Sequence, residues 1–263
     1  MRALKILQQL YRVPEVYRCF RETSQWLPLT LNYVGLHAVS YPYRVDLRDG
    51  CTFTLNNFYD AATFWQVFFN HVYPVRRDDR VIVDAGGNVG SFSLYALRAA
   101  PFSKVIAVEP FPHSFELMRS LVQSNGLGDR YVAVQAALGG KTGASLIEAD
   151  DRPSQFRRIT GNLEIGVPVN TITLEQLFAE QKLEQIDYLK VDIEGGEYAT
   201  LLAAPAGVLG RIKRIGLEYH PLYSGEPHTR QQLFTHLERA GFENVLDRDD
   251  GEGYGIARFQ RPL

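Results

Sequence analysis

VIVDAGGNVGSFSL, residues 81 to 94, decides how the rest of the chain is read. A short apolar run of the kind that makes a buried strand ends in Asp84, a glycine-rich turn follows, and helical spacing begins near Ser91. Gly86 and Gly87 let the backbone turn and approach a ligand without a Cβ in the way, and Gly90 lets the helix pack closely on the strand. Such a junction is a seat for a nucleotide or cofactor. A tight strand-to-helix turn with no ligand is the alternative.

Spacing says which cofactor. A dinucleotide loop needs G-x-G-x-x-G so that the pyrophosphate rests on the helix N-terminus. Asp84-Ala85-Gly86-Gly87-Asn88-Val89-Gly90 does not supply it, which disfavours an NAD-dependent oxidoreductase. It places an acid at the strand end instead, suited to a cofactor with an ammonium group and no phosphate, and S-adenosylmethionine is such a molecule. The next strand, VIAVEP, ends in Glu109, where a carboxylate can accept hydrogen bonds from both hydroxyls of a ribose. With Pro110 behind it, and Gln135 and Ala136 at the end of the third strand, the candidate cofactor-binding set is Asp84, Gly86, Gly87, Asn88, Gly90, Glu109, Pro110, Gln135, Ala136 and Asp192.

Outward from this loop the chain alternates strand and helix. Strands are expected at Val81–Asp84, Val105–Glu109, Tyr131–Ala136, Tyr188–Asp192 and Ile212–Glu218, with helices near 91–100, 113–124, 173–182, 196–204 and 229–240. A closing hairpin is expected from Asn244–Leu246 and Gly255–Phe259. The alternation predicts an α/β fold with a doubly wound, mainly parallel sheet. An insertion over 140–170, centred on Asp150-Asp151-Arg152-Pro153, is too long for a tight connection.

VDAGGNVGSFSL, AVEPFPHSFELM, PVNTITLEQL and IDYLKVDIEGGEYATLL, taken together and in this order, resemble the FkbM family of S-adenosylmethionine-dependent methyltransferases over about residues 45 to 220. The resemblance implies a class I methyltransferase (Rossmann-like) fold, a seven-stranded sheet with the last strand antiparallel, and O-methylation of a sugar hydroxyl or a related natural product. A protein that keeps the cofactor seat without the chemistry is the competing reading.

The candidate chemistry lies beyond the fourth strand. A central parallel strand usually reads as a continuous apolar run, yet Lys190, Asp192 and Glu194 alternate with apolar residues here. Charges there are costly unless paired or facing a cleft, and the cleft of an open α/β sheet lies at the carboxyl ends of its strands. A structural ion pair involving Lys190, with Glu197 a mere helix-start acid, is the plain alternative. On the fifth strand Glu218 and His220 share a face by the period of two. Asp192, Glu194, Glu218 and His220 are therefore the candidate catalytic residues, with His220 a possible proton acceptor. The three carboxylates could ligate a divalent ion, but the spacing does not demand one and none is expected.

The N-terminal region, residues 1–75, is expected to form helices and a hairpin apart from the 76–263 methyltransferase domain. A stripe at Leu4, Leu7, Leu10 and Tyr11 suits a helix broken at Pro14. It is expected to pack on the main domain, while the excess of Arg2, Lys5, Arg12, Arg18 and Arg21 gives some motive for a peripheral membrane contact through residues 1–40. Tyr43–Leu47 and Cys51–Leu55 flank Arg48-Asp49-Gly50 as a hairpin. Asp60 is expected to cap a helix that Pro74 closes, and Phe58, Tyr59 and Asp60 to form either a lid over the cofactor or core.

The 263 residues are 45% hydrophobic and 22% charged, which excludes disordered and low-complexity classes. A net charge of −2 gives no basic field for a nucleic-acid partner. Two cysteines, Cys19 and Cys51, make neither a disulfide framework nor a cysteine zinc site. No signal peptide or membrane span is evident, so a cytoplasmic setting is expected.

Overall fold

The computed structural model describes residues 12–148, 159–160, 166–221, 228–251 and 253–262. The Leu4, Leu7, Leu10 and Tyr11 stripe and the Asp150–Pro153 centre of the insertion lie outside the described residues. The chain divides into two compact units, Met1–Val72 and Tyr73–Leu263.

The first unit begins with α1 (Val13–Glu22) and α2 (Trp26–Tyr33). Pro14 stands in the first turn of α1, where its missing N–H is one that turn leaves unpaired anyway. β1 (Tyr43–Asp46) and β2 (Thr52–Leu55) form the expected antiparallel hairpin, and the Asp49 carboxylate accepts the Cys51 N–H across the turn at 3.1 Å. α3 (Phe58–Phe68) corrects the sequence reading at both ends. Asn57 is the cap, accepting the Asp60 N–H at 3.0 Å, while the Asp60 carboxylate turns back to the Asn56 N–H at 2.8 Å. The helix stops at Phe68, well before Pro74. Phe53, Phe64, Trp65, Phe68 and Phe69 form its aromatic interior, whereas Phe58 and Tyr59 are exposed and are not core.

The second unit carries β3 (Val81–Ala85), α4 (Ser91–Ala99), β4 (Lys104–Val108), α5 (Pro112–Ser124) and β5 (Tyr131–Val134). β6 (Ala137–Leu138), β7 (Gly143–Glu148), β8 (Ile159–Thr160) and β9 (Gly166–Ile172) follow, then α6 (Leu174–Glu180), β10 (Tyr188–Val191), α7 (Glu197–Leu202), α8 (Ala206–Leu209), β11 (Arg214–Tyr219), α9 (Arg230–Arg239), β12 (Glu243–Asp249) and β13 (Gly255–Gln260). The main sheet has seven strands in the order β12-β13-β11-β10-β3-β4-β5. β3, β4, β5, β10 and β11 run parallel, and β13 is antiparallel to both its neighbours, as the family resemblance implies.

β3, β4 and β10 are buried nearly throughout because helices cover both faces. Val83, Ile106, Leu189, Ile215 and Phe259 pack with Leu177, Leu201, Leu233 and Leu237 of the helices. The described residues of the 140–170 insertion supply β7, β8 and β9, which with β6 form a second sheet in the order β6-β9-β7-β8. The strand expected over Tyr131–Ala136 ends at Val134, and β6, which begins at Ala137, belongs to the second sheet. The helix expected over 196–204 is shorter, and Pro205 caps the separate α8.

Candidate active site

The loop after β3 is tied to the end of β4 through the Gly86 and Gly87 N–H groups, which both donate to the Val108 carbonyl at 3.0 and 3.1 Å. Gly86 has φ +81°, and a Cβ there would stand 1.8 Å from the Asp192 carbonyl oxygen, so the loop meets the exit of β10 only because that position has no side chain. Gly87 is buried beside Met118, and Gly90 stands at the start of α4. Asn88 takes φ +45°, a left-handed conformation that asparagine tolerates better than most residues. Its N–H donates to Glu109 Oε2 at 2.8 Å.

Glu109 lies just past β4 and is 7% exposed. Its second oxygen accepts the Phe111 N–H at 2.9 Å. Burial pushes its pKa up to about 7 despite these two donors. Two backbone bonds leave acceptor capacity on a carboxylate, which has about four lone-pair sites. Pro110 is half-buried beside it, while Gln135 is exposed and Ala136 buried beyond β5.

Asp84 is fully buried and is the register partner of Lys190 on the neighbouring strand. Lys190 Nζ lies 3.2 Å from Asp84 Oδ1 and 3.5 Å from Asp192 Oδ2, and donates to the carbonyls of Ala85 and Gly86 at 3.2 and 2.6 Å. Ser93 donates to the other Asp84 oxygen at 2.7 Å. Burial opposes the lysine charge, but Asp84 and Asp192 outweigh it and hold the pKa above its ordinary value. The pair holds the floor of the site together, with the half-exposed Asp192 on its open side.

The four candidate catalytic residues come together at the carboxyl edge of β10 and β11. Tyr73 joins two of them, its hydroxyl donating to Glu218 Oε2 at 2.9 Å and lying 3.4 Å from Asp192 Oδ2. Its ring passes Lys190 at 5.8 Å, in space that Gly216 leaves free, since a Cβ there would meet Tyr188 and Tyr73. Burial and the nearby Asp192 push Glu218 up to about 7. Glu194, at φ +55°, faces His220, whose Nε2 is 3.6 Å from Glu194 Oε2. Burial pushes Glu194 up to about 8. His220 Nδ1 lies 2.9 Å from Glu197 Oε1. Burial works against a charge on that ring, yet Glu197, Asp192 and Glu194 push His220 up to about 10, so it is cationic at neutral pH.

Tyr73 was absent from the sequence reading, which placed it at the end of a helix, and no spacing relates it to Asp192 or Glu218 far downstream. For Glu197 a helix-start acid is the plain alternative in the sequence, and its 2.9 Å contact with His220 is likewise invisible in one dimension.

Residues 84–243 match the model of the methyltransferase FkbM domain. "Methyltransferase 1" of Beauveria bassiana is 32% identical over 70% of this chain and 82% of its own. "AMB antimetabolite synthetase AmbE" of Pseudomonas aeruginosa is 27% identical over 78% of this chain and 12% of that much longer protein. Among solved structures, an rRNA methylase from Streptococcus thermophilus aligns over 75% of this chain and 96% of its own, with 13% identity and a TM-score of 0.46. No helix of the described residues is long and apolar enough to cross a membrane. With more than half its length matched and its seven-stranded sheet in the order described, the chain belongs to the FkbM family of methyltransferases.

Proposed function

We propose that the chain is an S-adenosylmethionine-dependent O-methyltransferase acting on a hydroxyl of a sugar, a glycan or a related natural product. One observation carries the reading: a buried carboxylate with acceptor capacity to spare, Glu109, and a recess of ionisable side chains, Asp192, Glu218 and Tyr73, flank the same glycine loop. The residues fit the cofactor by the chemistry of their donor set. Glu109 accepts from a ribose diol, the backbone of Gly86 to Gly90 permits close approach, and Asp192 is the carboxylate open to an ammonium group. Bound there, S-adenosylmethionine supplies a methyl group activated on a sulfonium. The antimetabolite synthetase among the relatives supports a natural-product acceptor.

On the acceptor side, Glu218 is the group suited to take the hydroxyl proton, because burial brings its pKa to about 7, close to working pH. Tyr73 holds it in place, and the cationic His220 keeps Glu194 turned inward. Holding the acceptor oxygen in line contributes most of the acceleration, since alignment alone is worth about 7 to 11 kcal/mol. Calorimetry with S-adenosylmethionine and with NAD tests the cofactor, and mass spectrometry of glycans and metabolites for a gain of one methylene mass tests the reaction. Binding of NAD, or of neither cofactor, overturns the reading.

A further inference from the structure

Asp192 past β10, Glu194 two residues on and His220 past β11 bring two carboxylate oxygens and an imidazole nitrogen within 4.8 Å of one another. Three features set this trio apart from an ordinary ion-pair network. His220 is 3% exposed, and its Nδ1 is held at 2.9 Å by the fully buried Glu197. Glu197 Oε1 is itself fixed by the Ile193 N–H at 2.9 Å. With Nδ1 committed to Glu197, Nε2 is left on the side of Glu194, 3.6 Å from its carboxylate and so beyond hydrogen-bond distance. A carboxylate behind one imidazole nitrogen, with the other turned toward acidic groups, is the arrangement that orients histidine ligands on metals. Charge points the same way. Asp84, Asp192, Glu194, Glu197 and Glu218 surround the recess, and the cations that face them are Lys190, which reaches Asp84 and Asp192, and His220 itself, whose proton the ion would replace.

We propose that Asp192, Glu194 and His220 bind one divalent first-row ion of the manganese-to-zinc range, leaving coordination positions open to a hydroxyl oxygen. Mixed imidazole and carboxylate donors suit such ions. Three protein ligands with open positions characterise a catalytic metal centre, whereas structural sites are closed. Coordination exchanges the Nε2 proton for the ion, and metal–ligand bonds of about 2.0 to 2.2 Å require the three side chains to draw together. Asp192 and Glu194 are the more exposed of the three and can make that move. An ion held there would grip the acceptor oxygen and lower its pKa, a role that rests on the methyltransferase reading above. Binding of the ion does not depend on that reading. Residue spacing asked for no metal, because the decisive feature is the Glu197–His220 contact.

The full chain, stripped with chelator, is titrated with Mn2+ by calorimetry and by the electron paramagnetic resonance of the free ion. One saturable Mn2+ per chain is expected, weakened at least about tenfold in Asp192→Asn and Glu194→Gln. Glu197→Gln, which keeps all three ligands, should weaken it by about 10- to 100-fold through the imidazole alone. Circular dichroism confirms the fold of each variant, and the partly exposed Glu194→Gln decides the matter if a buried substitution fails to fold. Absence of saturable binding, or binding unchanged in Glu194→Gln, overturns the proposal. S-adenosylhomocysteine is titrated into the same samples. Saturable S-adenosylhomocysteine binding by a chain that shows no saturable Mn2+ binding removes the metal centre and keeps the cofactor reading, and saturable Mn2+ binding with no S-adenosylhomocysteine binding does the reverse.

Discussion

Glu109 serves both folding and the cofactor seat. Its oxygens anchor the Asn88 and Phe111 N–H groups, and burial raises its pKa from 4.5 to about 7. Between these values the native chain keeps a proton that the unfolded chain has released, so this group makes stability fall as pH rises through that window. Ribose hydroxyls donate to the anion, so cofactor affinity should rise over the same range. Calorimetry with S-adenosylhomocysteine across the window checks this, and flat affinity would remove the diol contact. Glu109→Gln turns an NH2 group toward one of the two backbone donors, an expected loss of about 1 to 3 kcal/mol in urea unfolding, and should abolish the pH dependence of binding. Lys190 presents the complementary case. Lys190→Met leaves Asp84 charged and buried without its partner, at a cost of about 3 to 5 kcal/mol, and adding Asp84→Asn should restore much of it. Denaturant midpoints of the single and double variants test the coupling.

At the scale of elements, two exits from the sheet interlock. The turn between β3 and α4 and the segment after β10 touch where Gly86 faces the Asp192 carbonyl, and the Asp192 N–H returns a 3.2 Å bond to the Ala85 carbonyl. Gly86→Ala should therefore displace the loop. A left-handed non-glycine residue costs about 1 to 2 kcal/mol, and the contact with backbone adds to it. Loss of S-adenosylhomocysteine affinity should exceed the loss of thermal stability, because the loop is at the surface end of the strand while the sheet core lies below it. Equal losses in both would show that Gly86 serves packing alone. The glycines of this turn were legible in the sequence. Their specific opponents, the carbonyl of Asp192 just past β10 and a methionine of α5, were not.

For the whole molecule, the closing hairpin completes the sheet beyond β11. Phe259 of β13 is buried, packs edge-on against Phe234 of α9 at 5.0 Å, and shares the core with β3, β4 and β10. Phe259→Ala should cost about 3 to 5 kcal/mol and lower the melting temperature, and saturating cofactor should recover part of the loss by mass action. A melting temperature unchanged by the substitution would mean that the hairpin does not contribute to the core. The parallel strands were readable because burial on both faces writes continuous apolar runs. The second sheet was not, since β6 and β8 span two residues each and β7 and β9 are only partly buried.

By itself the sequence determined the order of strands and helices, the glycine turn, the acids at the ends of four strands and the family to which they belong. These are local properties: side-chain period, turn chemistry and motif spacing act over a few residues. Only the tertiary structure decided which charges pair and which remain for chemistry. Lys190 is committed to Asp84, His220 to Glu197, and Tyr73 to Glu218 across 145 positions of chain. Ionisation in a buried site depends on every neighbour within a few ångströms, and those neighbours are assembled by folding from segments that no periodicity connects.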